Sequence, residues 1–370
     1  MMLILKDIKR HITNFPGKRI SKKLIVFESD DWGSERIPSL ERLEYLISNK
    51  IDVYSNPFNH LDSLETEDDL SALFETLTRF KDRQGNHPVI TANSVTANPD
   101  FKKIMASDFK EYHYESTLQT YRNKPGCKNS YQLIREGIAA GIYHPQFHGR
   151  EHLNVRQWLN ALQSGNEILL RAFHAGIYGI DINSELKKRN NFMAAFDGNN
   201  EQEDVEHRKI IKEGMSLFKK AFGFTSRSFI APCYIWHPSL EELLKEHEIK
   251  YIQGLPIQFS PNHGVKYKKI YHYQGERNRL KQIYFVRNCF FEPSLNHGYN
   301  WIKDCLRRLE IIFFWGKPAI IGTHRVNFIG SLNEENRKRN LDLFSDLIKK
   351  IIKTWPDIEF TTTDKLGDLY

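Results

Sequence analysis

Short runs of β-branched and aromatic residues alternate along this chain with stretches whose apolar positions recur at helical spacing. Residues 24–28 (LIVFE) read as a buried strand that ends at Ser29-Asp30-Asp31. After Pro38, the positions Leu40, Leu43, Leu46 and Ile47 fall on one helical face. Residues 88–95 form a second strand candidate. Residues 129–140 read as a helix closed by Gly141, and 142–148 (IYHPQFH) as the next strand. A long helix over Glu201–Phe222, closed by Gly223, precedes a strand over 228–232. Further strands are predicted over 251–255, 283–291, 319–323 and 359–363, with helices over 299–314 and 333–352 separating the last ones. Helical stretches between strands imply βαβ units and a mostly parallel sheet. Seven or eight such strands, with no Pro/Gly/Ser linker dividing them, predict one closed or nearly closed (β/α) barrel. Polar insertions at 62–75, 183–204 and 264–281 would be its elaborated loops. The predicted domain spans 24–370, behind a basic N-terminal segment over 1–23.

Composition narrows the class. The 370 residues are 40% hydrophobic and 27% charged, which excludes a collagen-like or disordered chain. Four cysteines are too few for a disulfide scaffold and form no CxxC pair, so a thiolate metal site or redox motif is not expected. No stretch approaches the ~18–20 apolar residues of a membrane span, and the N-terminus lacks the apolar centre of a secretory leader. The expectation is a cytoplasmic protein with reduced thiols. The net charge of +7 permits an acidic partner without requiring nucleic acid. Residues 6–23 carry seven Lys/Arg against one Asp, a solvated leader or a contact for a membrane surface or acidic partner. The stretch 264–287 interleaves basic residues with Tyr267, Tyr271, Tyr273, Tyr284 and Phe285. A loop hairpin or a rim for an anionic glycan is preferred there over a nucleic-acid surface.

Candidate chemistry sits where strands end. In parallel β/α architectures functional side chains collect at the carboxyl ends of strands. Asp30-Asp31 follows the first strand; adjacent carboxylates repel unless a cation lies beside them, which suggests a metal site or a catalytic pair. His148 and His152 are four apart, a spacing that lets two imidazoles reach one ion. His144 and His148 share that spacing, but His144 would lie mid-strand and His148 at the strand end, so His148/His152 is preferred. One Asp with two His forms a facial set that leaves positions open for water. The second Asp can then act as general base, and His324, at a later strand end, can protonate a leaving group. The combination fits hydrolysis of an amide or ester.

At these residues the sequence resembles the polysaccharide deacetylase (NodB-homology) family. Those proteins are distorted (β/α)7-8 barrels that use a divalent metal, usually zinc, to remove acetyl groups from N- or O-acetylated sugars. The run VFESDDWG resembles the family's TFDDG motif, and His148-Gly149-Arg150-Glu151-His152 its H-[ST]-x-x-H motif. Pro232-Cys233-Tyr234 keeps the proline and aromatic of the Arg-x-Pro-Tyr motif, with Ile230 in the place of the Arg. Ile321-Gly322-Thr323-His324 is similar to Leu-x-His. The family's fourth, Asp-containing motif finds no counterpart. The resemblance implies Asp30 as base, Asp31, His148 and His152 as ligands of Zn²⁺, and His324 as acid. Pro232 and Tyr234 would line the substrate groove, with backbone N–H groups near Tyr234 helping to hold the oxyanion. Trp32, Tyr234 and Trp236 are expected to form an aromatic wall for a sugar ring. Arg150 is expected to pair with Asp30 in place of the missing Arg, and Arg325 to meet a substrate anion. The expected partner is an acetylated sugar or glycan precursor, nucleotide- or lipid-linked. Two other functions compete: a glycan-binding relative disabled at Ile230, and a sugar-nucleotide glycosyltransferase using Ser29-Asp30-Asp31 as a diphosphate–metal motif.

Overall fold

The computed structural model describes residues 2–180, 192–198, 200–262 and 266–370. Nine strands build one parallel sheet: β1 (Lys23–Trp32), β2 (Ile90–Ser94), β3 (Tyr143–Phe147), β4 (Ser228–Ile230), β5 (Tyr251–Gly254), β6 (Ile283–Val286), β7 (Cys289–Phe290), β8 (Ala319–His324) and β9 (Ile358–Phe360). The neighbour order is β6-β5-β4-β3-β2-β1-β8-β7, with β9 pairing the start of β1. Only Arg287 and Asn288 separate β6 from β7. The two ends of the order are therefore one bent stretch of chain, which pairs with β5 on one side and β8 on the other. That stretch closes the sheet into a barrel. The Arg287 N–H donates to Gly254 O at 2.9 Å and the Asn288 N–H to Ile320 O at 3.3 Å, so the bend is bonded to both flanks.

The period of two in the strands sorts the side chains. On β1, Ile25 and Phe27 face the helices that surround the barrel, in a core with Ile90, Ile321, Phe344 and Phe360. Leu24 and Val26 face inward and meet Tyr251, Ile283, Phe285, Ile320 and Leu366. The floor of the barrel is thus an apolar plug. The next inward positions on the same strands are Glu28 and Asp30 on β1 and Gly322 and His324 on β8, so polarity rises toward the carboxyl ends. The register sets Asp30 beside His324, Trp32 beside Ser94 and Ser94 beside Phe147, which brings four strand ends to one rim.

Local signals set the helices. α1 (Met2–Asn14) packs on the later helix Trp301–Phe314, so the basic N-terminal stretch is structured as a helix. α2 (Leu40–Ser48) starts at Ser39, whose side chain accepts from the Arg42 N–H. The segment expected as an insertion at 62–75 holds α3 (Glu67–Thr78), opened by a Thr66/Asp69 capping box. The long α4 (Glu201–Phe222) ends at Gly223 with φ 80°, the left-handed geometry that favours glycine. Residues 268–271 of the basic insertion pair antiparallel with residues 257–260, which precede it. Much of the 183–204 insertion lies outside the described residues. The fourth barrel strand is shorter than expected, because Pro232 opens a 3₁₀ turn directly after it.

Candidate metal centre and catalytic cavity

The register between β1 and β2 shifts between Ser29 and Trp32, a bulge at Asp30-Asp31. In an unbroken strand these two carboxylates would point to opposite faces. At the bulge Asp31 adopts φ 75°, a conformation rarely taken by a non-glycine residue. Both carboxylates then line one cavity of about 260 Å³. Such strain persists only where the surroundings impose it, and it clusters at functional sites.

Three donor groups meet on one side of the cavity. Asp31 Oδ1 is 3.5 Å from His148 Nε2 and 3.4 Å from His152 Nε2. One ligand atom from each of the three residues lies within 4.8 Å of the others, all buried. Asp31 Oδ1 and His148 Nε2 are buried without a hydrogen-bond partner. Buried polar atoms are normally satisfied, so these unmet atoms fit a cation held between them. The opposite nitrogen of His148, Nδ1, lies 2.9 Å from Ile230 O. A proton on Nδ1 donated to that carbonyl leaves the Nε2 lone pair facing the cavity, the usual outer support of a metal-binding imidazole. Burial pushes His152 down to about 3, against the pull of Asp31. Burial alone would raise Asp31, but His152 and His148 hold it well below the usual carboxylate range. His144 is elsewhere: its Nε2 is 3.1 Å from Asp364 Oδ2, which leaves His148 and His152 as the converging pair.

Asp30 is held by other residues. Arg287 grips it bidentately, Nη2 to Oδ1 at 2.6 Å and Nη1 to Oδ2 at 2.7 Å, and Asn93 Nδ2 donates to Oδ1 at 2.7 Å. The same guanidinium donates from Nε to Glu28 Oε2 at 2.7 Å, and Glu28 Oε1 accepts from Thr363 Oγ1 at 2.7 Å. Burial works to raise Asp30, but Arg287 outweighs it and keeps the carboxylate ionised well below its usual range. Gly322 makes room for this clamp, since a Cβ there would sit 2.7 Å from Arg287 Cδ.

His324 faces Asp30 from the other side, Nε2 to Oδ2 at 3.7 Å. Its Nδ1 lies 2.6 Å from Glu292 Oε1, and the second Glu292 oxygen accepts from Asn327 Nδ2 at 2.7 Å. Burial disfavours the charged imidazole, yet Glu292 raises it to about 9. His324 therefore holds a proton at ordinary pH, and it lines the cavity. Tyr234 also lines the cavity, its hydroxyl 3.1 Å from Arg287 Nη1.

Several expected contacts are not formed. Arg150 does not touch Asp30; it pairs with Glu151, Nε to Oε2 at 2.5 Å, and with Glu213, and stacks over Tyr114. Its side chain leaves the turn on the side away from the cavity. Arg325 is fully buried between Asp62 and Glu65, at 2.9 and 2.7 Å, and cannot meet a substrate anion. Trp32 and Trp236 are core residues and not a sugar-facing wall. Trp32 Nε1 donates to Ser29 Oγ at 2.9 Å and its ring stands edge-on to Tyr143, while Trp236 stacks on His272. Pro232 is buried in its turn and does not line the cavity. The Tyr234 N–H is committed to Ala231 O at 2.9 Å and is not available to an oxyanion. Sequence reasoning missed Arg287, Glu292, Asn93 and the cavity-lining Arg36 and Phe58. The first two had a readable signal. A strand drawn over 283–291 absorbs Arg287, whereas a strand stopped at Val286, where the apolar run ends, exposes Arg287 and Glu292 as strand-end residues.

No family model matches the sequence, and no curated protein matches it significantly. Solved structures do resemble it. A 4-alpha-glucanotransferase from Thermococcus litoralis is 11% identical with a TM-score of 0.46; the match covers 95% of this chain and 41% of that one, so the chain spans about two fifths of its length. A candidate polysaccharide deacetylase from Mycobacterium smegmatis is 11% identical with a TM-score of 0.45, covering 96% and 93% of the two chains. A CE4 family pseudoenzyme from Bacillus anthracis is 9% identical with a TM-score of 0.40, covering 94% and 66%. Each of these matches has a TM-score below 0.5 and about a tenth of its residues identical.

Proposed function

We propose that the protein is a metal-dependent hydrolase that removes acetyl groups from N- or O-acetylated sugars. The observation that carries this reading is the convergence of the Asp31, His148 and His152 donor atoms with Asp30 and His324 around one small cavity. A divalent ion, zinc by the donor set, would supply Lewis-acid polarisation of an acyl carbonyl and a water of lowered pKa. Asp30, kept ionised by Arg287, accepts the proton of the attacking water. His324, protonated through Glu292, donates a proton from Nε2 to the departing amine or alcohol. The products are acetate and the free amine or hydroxyl of the sugar. The cavity is at the small end of ligand pockets, which suits one acetylated ring end-on better than a long chain.

Arg287 bears on the competing functions. Ile230 in the place of an arginine points to a disabled glycan-binding relative, but Asp30 has its guanidinium from the bend between β6 and β7. A diphosphate–metal motif needs both aspartates free for the ion, and Asp30 is engaged by Arg287 and Asn93. The test is acetate release from N- and O-acetylated mono- and oligosaccharides by the full chain, with metal occupancy measured on the same sample. Activity that disappears with chelation and in His148→Ala is expected. No acetate from any such sugar at full occupancy overturns the reading.

A further inference from the structure

Among the described residues, Arg36 is the one cavity-lining cation that the chemistry above leaves unused. It is 5% exposed, and it lines the same cavity as Asp31, His148, His152 and His324. Among the described residues no carboxylate lies within ion-pair distance of it, and its buried Nε has no hydrogen-bond partner. Asp62, on which Arg36 exerts an electrostatic pull, gives Oδ1 to Arg325, and its Oδ2 has no hydrogen-bond partner. A buried charge without a partner is costly, and such charges are normally paired.

The place is shaped to hold the guanidinium where it is. Its Cζ lies over the Phe58 ring, 4.9 Å from the centroid. Gly179 is also close, and a Cβ there would come within 3.3 Å of both Nε and Nη2. Phe58 also packs edge-on against His324, with centroids 5.2 Å apart. One aromatic ring therefore touches both Arg36 and the proton carrier, which puts Arg36 on the side of the cavity where the leaving group departs. A guanidinium presents a planar fork of donors that fits a carboxylate or phosphate.

We propose that Arg36 is an anion-recognition residue, and that the molecule taken into this cavity carries a carboxylate or phosphate on the part retained after acetyl removal. The placement relative to the leaving group rests on the deacetylase reading; the anion site itself does not. Carboxylate and phosphate share the recognising chemistry and are separated by experiment. The metal-loaded full chain is titrated calorimetrically with N-acetylglucosamine, its 1-phosphate and N-acetylmuramic acid, and acetate release is followed in parallel. At least one anionic probe is expected to bind roughly 10- to 100-fold more tightly than the neutral one, the scale of a hydrogen-bonded ion pair. Arg36→Met should reduce that advantage to less than about threefold, and Arg36→Lys should keep part of it. Equal affinity for neutral and anionic probes, or no binding of either anion at millimolar concentration, overturns the proposal; both comparisons need only the wild-type chain. An advantage that survives in folded Arg36→Met overturns it too and makes Arg36 a counter-charge for Asp62. Loss of the advantage in Arg36→Met, with no acetate released by the metal-loaded wild-type chain from any N- or O-acetylated sugar, leaves the anion site standing and removes the deacetylase reading instead.

Discussion

Replacing Glu292 by Gln tests the proton-donor assignment of His324 most directly. Gln keeps the shape and one acceptor oxygen but removes the charge 2.6 Å from Nδ1. It also has one acceptor oxygen for two donors, His324 and Asn327, where the carboxylate has two. In the native protein Glu292 lifts His324 to about 9 against a burial penalty that acts the other way. Relative to an ordinary histidine near 6.5, that is about 3 kcal/mol in favour of the imidazolium. Without the carboxylate the penalty remains, and only Asp30 and Asp31 still favour the charge, so His324 should fall by roughly two pH units. At pH 7.5 the protonated fraction drops from near unity to roughly one quarter, so kcat should fall about fourfold and recover as the pH is lowered toward 6. The alkaline limb of the pH–rate profile moves to lower pH by the same interval. Stability follows the same sign. A pKa raised on folding gives stability that is complete below about 6.5 and lost as pH rises through about 9, so the wild-type melting temperature should decline across that window and the Gln variant should decline less. The imidazole C2–H shift of His324, followed by NMR in both proteins, gives the titration independently of activity. If that titration moves and the alkaline limb does not, His324 is not the proton donor. If neither moves, Glu292 is not what charges it.

The remaining predictions use the same geometry. His148→Ala and Asp31→Asn should each reduce bound divalent metal from one ion per chain to a trace, measured by elemental analysis after gel filtration, because each removes one of three converging donors. Arg287→Met strands two buried carboxylates, Glu28 and Asp30, and should cost about 3–5 kcal/mol in urea denaturation; a loss under 1 kcal/mol would show that the clamp is not holding them. Gly322→Ala intrudes on Arg287 Cδ, and should lower kcat by at least about tenfold while the fold survives. Arg325→Met strands Asp62 and Glu65 and should destabilise by about 3–5 kcal/mol; a stable variant with raised KM would restore the substrate contact that burial denies it.

What the chain discloses before folding depends on whether a residue's task is local. Asp30-Asp31, His148/His152 and His324 were legible because each lies at or just beyond the end of a strand-like run, and a parallel barrel sends such strand ends to one rim. The bulge that turns both aspartates into the cavity was not legible, since Asp31 at φ 75° answers to β2 and not to its own neighbours. The arginines show the limit more sharply. Arg150 and Arg325 stand next to site residues in sequence, and adjacency made them candidates. Yet a side chain beside a strand-end ligand leaves on the opposite face, and both turn to carboxylates outside the cavity. The guanidinium that serves Asp30 comes instead from residue 287, where the closing stretch of the barrel bends. Two inward positions on β1 and one glycine on β8 define its place: Glu28 and Asp30 accept its donors, and Gly322 admits its stem. An unexpected Glu28 inside a strand was therefore a trace of the missing arginine, because a carboxylate buried above an apolar plug requires a cation at the same level. The same reasoning separates Arg36 from the rest. Each of the other buried arginines at this rim meets a carboxylate of its own chain, and Arg36 meets an aromatic face and open cavity. Its counter-ion is then sought in what the cavity receives.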